Sequence, residues 1–201
     1  MKKNYRVHLL GYNIKDIDKL EAYVNITLEK RHNNTLRQIE ILKDNGFEID
    51  INKLRKADGK YIYKQHLMHY LVETGQVSEM FGDFYYKTFK NNGICHFDIK
   101  YPSPYEAIKV IKECGGIAVL AHSGQQQNFE LIPELVKLGL DGLELNHKAN
   151  SDKDKEIIRE YADKYNLVLT GGSDCHGLFE AGSPEVGDYL SEESGVKLII
   201  G

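Results

Sequence analysis

Apolar positions along the chain follow two different rhythms. Over residues 16–45 they recur every three or four residues, at Ile17, Leu20, Val24, Leu28, Leu36, Ile39 and Leu42, which predicts one long amphipathic helix stopped by Gly46. Shorter helices are expected over 51–56, 62–73 and 77–90, punctuated by Asp58-Gly59, Gly75 and Asn91-Asn92-Gly93. After Tyr101-Pro102-Ser103-Pro104 the rhythm changes to alternation. Helices over 104–114, 129–138 and 151–165, the last with Ser151 as N-cap, alternate with apolar strands over 117–121, 142–145 and 167–170. A further short strand, 5–12, precedes the long helix. Strands separated in this way by helices are βα units on a parallel sheet, so the fold class is α/β. The expected organisation is a β/α portion over 1–13 and 99–201, interrupted by a helical insertion over 14–98.

Composition narrows the function classes. A chain of 201 residues with 41% hydrophobic and 28% charged positions can build one sizeable core. A net charge of -4 lacks the basic excess of a general nucleic-acid or anionic-membrane binder. No apolar run approaches the ~20 residues that cross a bilayer, and the Met1-Lys2-Lys3-Asn4-Tyr5-Arg6 start lacks the pattern of a signal peptide, so a cytoplasmic location is expected. Three cysteines, Cys95, Cys114 and Cys175, without a CxxC spacing imply neither a disulfide framework nor a cysteine zinc site.

In parallel sheets function gathers where strands end, and the chemistry-bearing residues of this chain lie there. The apolar run Leu167-Val168-Leu169-Thr170 stops at Gly171-Gly172 and is followed by Ser173-Asp174-Cys175-His176-Gly177. Asp174 and His176, two residues apart, can face the same side of an extended backbone and offer an oxygen and a nitrogen to one cation. The alternative is a turn in which Asp174 caps a helix and His176 is merely polar. Ile117-Ala118-Val119-Leu120-Ala121 has the same design, ending at His122, and the strand of 142–145 ends at Asn146-His147. Imidazoles with a carboxylate suit zinc, manganese or iron better than calcium. His8 lies inside an apolar strand, where a hydrogen-bonded core histidine is the competing reading. The helical block carries Lys30, Arg31, Arg37, Lys64, His66 and His69, which read as a solvated amphipathic face, with Lys64 and His66 also suited to contact a phosphate.

Taken in order, Val7-His8-Leu9-Leu10-Gly11-Tyr12, Ile62-Tyr63-Lys64-Gln65-His66, Gly115-Gly116-Ile117 to His122, Leu140-Asp141-Gly142-Leu143-Glu144 and Gly171-Gly172-Ser173-Asp174-Cys175-His176-Gly177 resemble the PHP (polymerase and histidinol phosphatase) family. The likeness is greatest to its small phosphoesterases that act on nucleotides and nucleoside bisphosphates. It implies a distorted, here partial, seven-stranded β/α barrel with the helical insertion as a lid. It also implies metal ligation by His8, His122, Asp174 and His176, with Asp174 and His176 central to catalysis, and phosphate binding by Lys64, His66 and Arg31. The cofactor implied is a divalent transition metal, and the substrate a phosphorylated, nucleotide-like small molecule. Family members begin with HxH and TDHD-like motifs that find no counterpart here, and their Arg-Pro before the insertion's histidine is Lys64-Gln65. From these departures come four expectations: at most one tightly held transition metal per chain, impaired turnover, weakened phosphate contact, and a second copy or partner chain that covers an open sheet edge. The alternatives are a non-catalytic metal-binding or regulatory module, or half of a barrel completed by another polypeptide.

Overall fold

The computed structural model describes residues 6–54, 59–177 and 182–200. They fall into two compact units, one of 6–22, 102–177 and 182–200, the other of 23–54 and 59–101, and the boundary passes through the long first helix.

The first unit is α/β. Its sheet has four strands among the described residues: β1 (Leu9–Tyr12), β2 (Ile117–Leu120), β3 (Gly142–Asn146) and β4 (Val168–Gly171), in spatial order β1-β2-β3-β4. β2, β3 and β4 run parallel, whereas β1 runs antiparallel to β2 with Leu9 opposite Leu120. That reversal brings the start of β1 beside the end of β2, where Ala121 N–H donates to the His8 carbonyl at 3.0 Å. Ile108 and Ile111 of one helix and Ile158 and Ala162 of another bury one sheet face, together with Leu120, Leu143 and Leu145. The helices that carry them start where local chemistry says they should. Ser103 and Glu106 form a capping box with Pro104 at the first turn, and Ser151 and Asp154 form another. These are α4 (Pro104–Glu113) and α7 (Asp152–Tyr165), and α7 closes on Asn166 in the left-handed conformation.

The second unit is helical. α1 (Ile17–Asp44), which begins in the first unit, supplies Ile39 and Leu42 to a core completed by Leu67, Met68 and Leu71 of α2 (Lys64–Glu73) and Phe89 of α3 (Asp83–Phe89). Gly46, at φ +89°, ends α1 as its position predicts.

Several elements differ from the periodicity. The helix expected over 77–90 is confined to α3, because Gly82 serves as its N-cap and the Glu79 side chain fills the space beside that glycine. The expected 51–56 helix is a 3₁₀ turn, Ile51–Lys53, organised by Asp50 accepting from Asn52 N–H, and 55–58 lie outside the described residues. Residues 129–138 split into a 3₁₀ turn, Phe129–Leu131, and α6 (Ile132–Val136), with Pro133 in the first turn. A short α5 (Ser123–Gln126) and a terminal α8 (Glu193–Ile200) add to the predicted set. No helix of the described residues is long and apolar enough to cross a membrane.

Candidate metal centre

Three strand ends and the reversed start of β1 deliver their side chains to one edge of the sheet. His8 Nδ1 lies 3.1 Å from His122 Nε2, with the rings edge to face. Two ligands bonded at ~2.1 Å to one tetrahedral or octahedral cation are separated by about this distance. His147, just past β3, has its ring centroid 4.9 Å from that of His122 and its Nε2 3.6 Å from Asp174 Oδ2. His176 Nε2 stands 3.9 Å from Asp174 Oδ1. The structure therefore pairs His8 with His122 and Asp174 with His176, and His147 stands between the two pairs.

The backbone there is unusual. His122 (φ +27°) and Asp174 (φ +48°) both occupy the left-handed region, costly for residues with a Cβ and typical of functional sites. Asp174 and His176 are thus juxtaposed by a tight turn, and the extended geometry that their spacing suggested is corrected. Gly171, at the end of β4, leaves room for the downstream segment: a Cβ there would collide with the Leu190 carbonyl and lie 2.9 Å from Asn146 Cβ. Ser191 Oγ accepts from Gly171 N–H at 2.9 Å, and Ser183 Oγ accepts from His176 N–H at 2.9 Å, fixing the turn from the downstream segment.

Glu144, on β3, is the second residue that sequence reasoning left out of the site. It is 4% exposed, its Oε2 accepts the His122 N–H at 2.8 Å, and burial, helped by the charge of Asp174 and opposed by that hydrogen bond, pushes its pKa up to about 7. Its place in Leu143-Glu144-Leu145 reads as ordinary alternation with a solvated outer face, and its signals are its place in the Leu140 to Glu144 motif and its position two residues before the strand end. His147 was visible as a strand-end histidine without being assigned a role.

The donor set suits a transition metal. Burial holds the pKa values of His8, His122 and His147 below the ordinary histidine value, keeping the rings neutral, which is the ligating form. His122 Nδ1 and His147 Nε2 are buried without hydrogen-bond partners. Among the described residues the donors stand in pairs, and no three already enclose one coordination point.

In the helical unit the expected phosphate-binding residues gather around the start of α2. The Arg31 guanidinium lies 4.4 Å above the Tyr63 ring, which stacks on His66, and His66 Nδ1 accepts the Tyr63 N–H at 3.1 Å. Lys64, the first residue of α2, sits 5.3 Å from the Phe89 ring, and its pKa is lowered by burial and by Lys90 and Arg31.

No family model matches the chain. A phosphoribosyl 1,2-cyclic phosphate 1,2-diphosphodiesterase from Eggerthella lenta is 39% identical over 181 residues, covering 89% of this chain and 69% of its own length. A 3',5'-nucleoside bisphosphate phosphatase from Chromobacterium violaceum is 29% identical over 128 residues, 60% of this chain and 44% of its own. A Bifidobacterium adolescentis crystal structure, classed as a metal-dependent phosphoesterase, superimposes with a TM-score of 0.83 at 25% identity, covering 100% of this chain and 72% of that one.

Proposed function

The chain belongs to the PHP family of metal-dependent phosphoesterases, and on that premise we propose that it hydrolyses phosphate monoesters of nucleotide-like substrates at the His8, His122, Asp174 and His176 cluster. The observation that carries the reading is the 3.1 Å approach of His8 Nδ1 to His122 Nε2 at the sheet edge that also holds Asp174. A bound zinc, manganese or iron ion supplies Lewis acidity, lowering the pKa of a water and neutralising phosphoryl charge. His8, His122, His176 and Asp174 are assigned to hold it, and the neutral rings of His8 and His122 need lose no proton to do so. Lys64, His66 and Arg31 are assigned to phosphate recognition, Lys64 as a point charge where a guanidinium would offer a fork. No protein nucleophile is required.

The test is phosphate release from p-nitrophenyl phosphate, nucleotides and a nucleoside 3',5'-bisphosphate with manganese or zinc, beside Asp174→Ala and His176→Ala. Turnover abolished by both substitutions supports the assignment, and its absence from every metal-loaded native sample refutes it. A second reading, a non-catalytic metal-binding module, draws on the paired rather than enclosing arrangement of donors. Metal uptake without phosphate release distinguishes it.

The four strands are read as part of a seven-stranded barrel. β1 forms an edge of the sheet among the described residues. Such edges are normally covered, so a second copy or a partner chain is assigned to this one. Light scattering that finds a monomer at high concentration would refute that assignment.

A further inference from the structure

We propose that His147 is a positioning residue, whose Nε2–H holds Oδ2 of Asp174 and aims that carboxylate at the metal. This role rests on the metal-dependent reading above. The side chain of His147 has 0% exposure. Its Nδ1 accepts the Ala149 N–H at 3.1 Å, so its lone pair there is committed and the neutral ring carries its proton on Nε2. That assignment removes His147 from the ligand set, although it is one of the imidazoles nearest the centre, because a protonated nitrogen cannot bind a cation.

The Nε2–H is then a buried donor without a hydrogen-bond partner, which is costly, and the acceptor beside it is Asp174 Oδ2 at 3.6 Å. Closing that gap by about 0.5 Å makes a charge-assisted hydrogen bond of ordinary length. Oδ1, the oxygen nearer to His176, is left for the cation. Asp174 lies on a left-handed turn beside the candidate ligands, so an outside donor that fixes its carboxylate has a specific task.

The experiment compares Mn²⁺ binding, followed by the loss of the free-ion EPR signal, in the native chain, His147→Phe and His147→Gln. Phe keeps the ring volume without a donor and is expected to weaken Mn²⁺ affinity by about tenfold to a hundredfold. Gln, which still presents an N–H, is expected to restore most of the affinity. A structural role alone would not distinguish the two in this way. Ring ¹⁵N signals of the metal-free native chain give a readout that needs no variant: a proton on Nε2 supports the inference, and one on Nδ1 overturns it. Equal Mn²⁺ affinity in all three chains overturns it while leaving the metal-dependent reading intact. No Mn²⁺ binding by the native chain overturns both.

Discussion

The backbone N–H of His122 donates to Oε2 of Glu144 at 2.8 Å, so the loop that ends β2 hangs from a carboxylate on β3. The other oxygen of the same carboxylate borders Gly172, where an added Cβ would lie 2.6 Å from Oε1. One buried side chain thus holds the loop that carries His122 and lies against the glycine that precedes the Asp174 turn. This explains how His122 keeps its strained φ of +27°.

The brace has a pH signature. The Glu144 pKa rises from an ordinary 4.5 to about 7 in the fold. A carboxyl shifted upward stabilises the fold fully below pH 4.5 and loses that contribution as pH climbs through about 7. At pH 8 the metal-free chain therefore bears the cost of a buried charge, at ~1.4 kcal/mol per pKa unit. Glu144→Gln can still accept the His122 N–H, and it should raise stability at pH 8 by up to about 3 kcal/mol while changing little near pH 4. Urea unfolding at both values checks this; an equal effect at both would rule it out.

The histidines slope the other way. His8, His122 and His147 have folded pKa values lowered from 6.5, chiefly by burial, so stability falls as pH drops from about 6.5 through those lowered values. With the opposing Glu144 removed, the Gln variant should lose stability on acidification more steeply than the native chain, measured by chemical denaturation from pH 7.5 to 5.

Gly172→Ala should be costly although its φ is not in the left-handed region. The methyl group would collide with a carboxylate already tied to His122, and such overpacking costs about 1–3 kcal/mol. A thermal midpoint unchanged from the native protein would show that Glu144 moves aside freely.

Metal content should be low and should depend on Asp174. With Asp174 the one carboxylate in the proposed ligand set, the purified chain is expected to hold at most one tightly bound transition metal, and Asp174→Ala none. Elemental analysis finding two or more stoichiometric metals per chain would contradict this.

Lys64→Ala should raise KM for a phosphate monoester about tenfold, equivalent to ~1.4 kcal/mol, and leave metal content unchanged. An altered kcat with an unaltered KM would take Lys64 out of phosphate recognition.

Much of this architecture was legible because apolar spacing and caps act locally. The long helix and Gly46, the Ser151 cap, and the strands ending at His122 and His147 follow from nearest-neighbour chemistry. The parts that escaped depend on distant residues. Glu144 looks like the polar half of an alternating strand until the other strands enclose it. The Asp174 turn looks extended until Ser183 and Ser191 fasten its surroundings. Residues 77–82 carry helical spacing, but Gly82 and the Glu79 side chain claim them for a turn.

The reversed direction of β1 makes the centre depend on counting. Side chains alternate between faces along a strand, so sliding β1 one residue along β2 would bring Val7 or Leu9 to the place of His8 and turn the imidazole away. Two bonds index the strand against that slip: Ala121 N–H on the His8 carbonyl, and the buried Asn128 amide on the Arg6 carbonyl at 3.0 Å. Asn128 thereby acts as the pin of a vernier, and Asn128→Leu is a change by which the sheet could stay paired while its chemistry falls out of step.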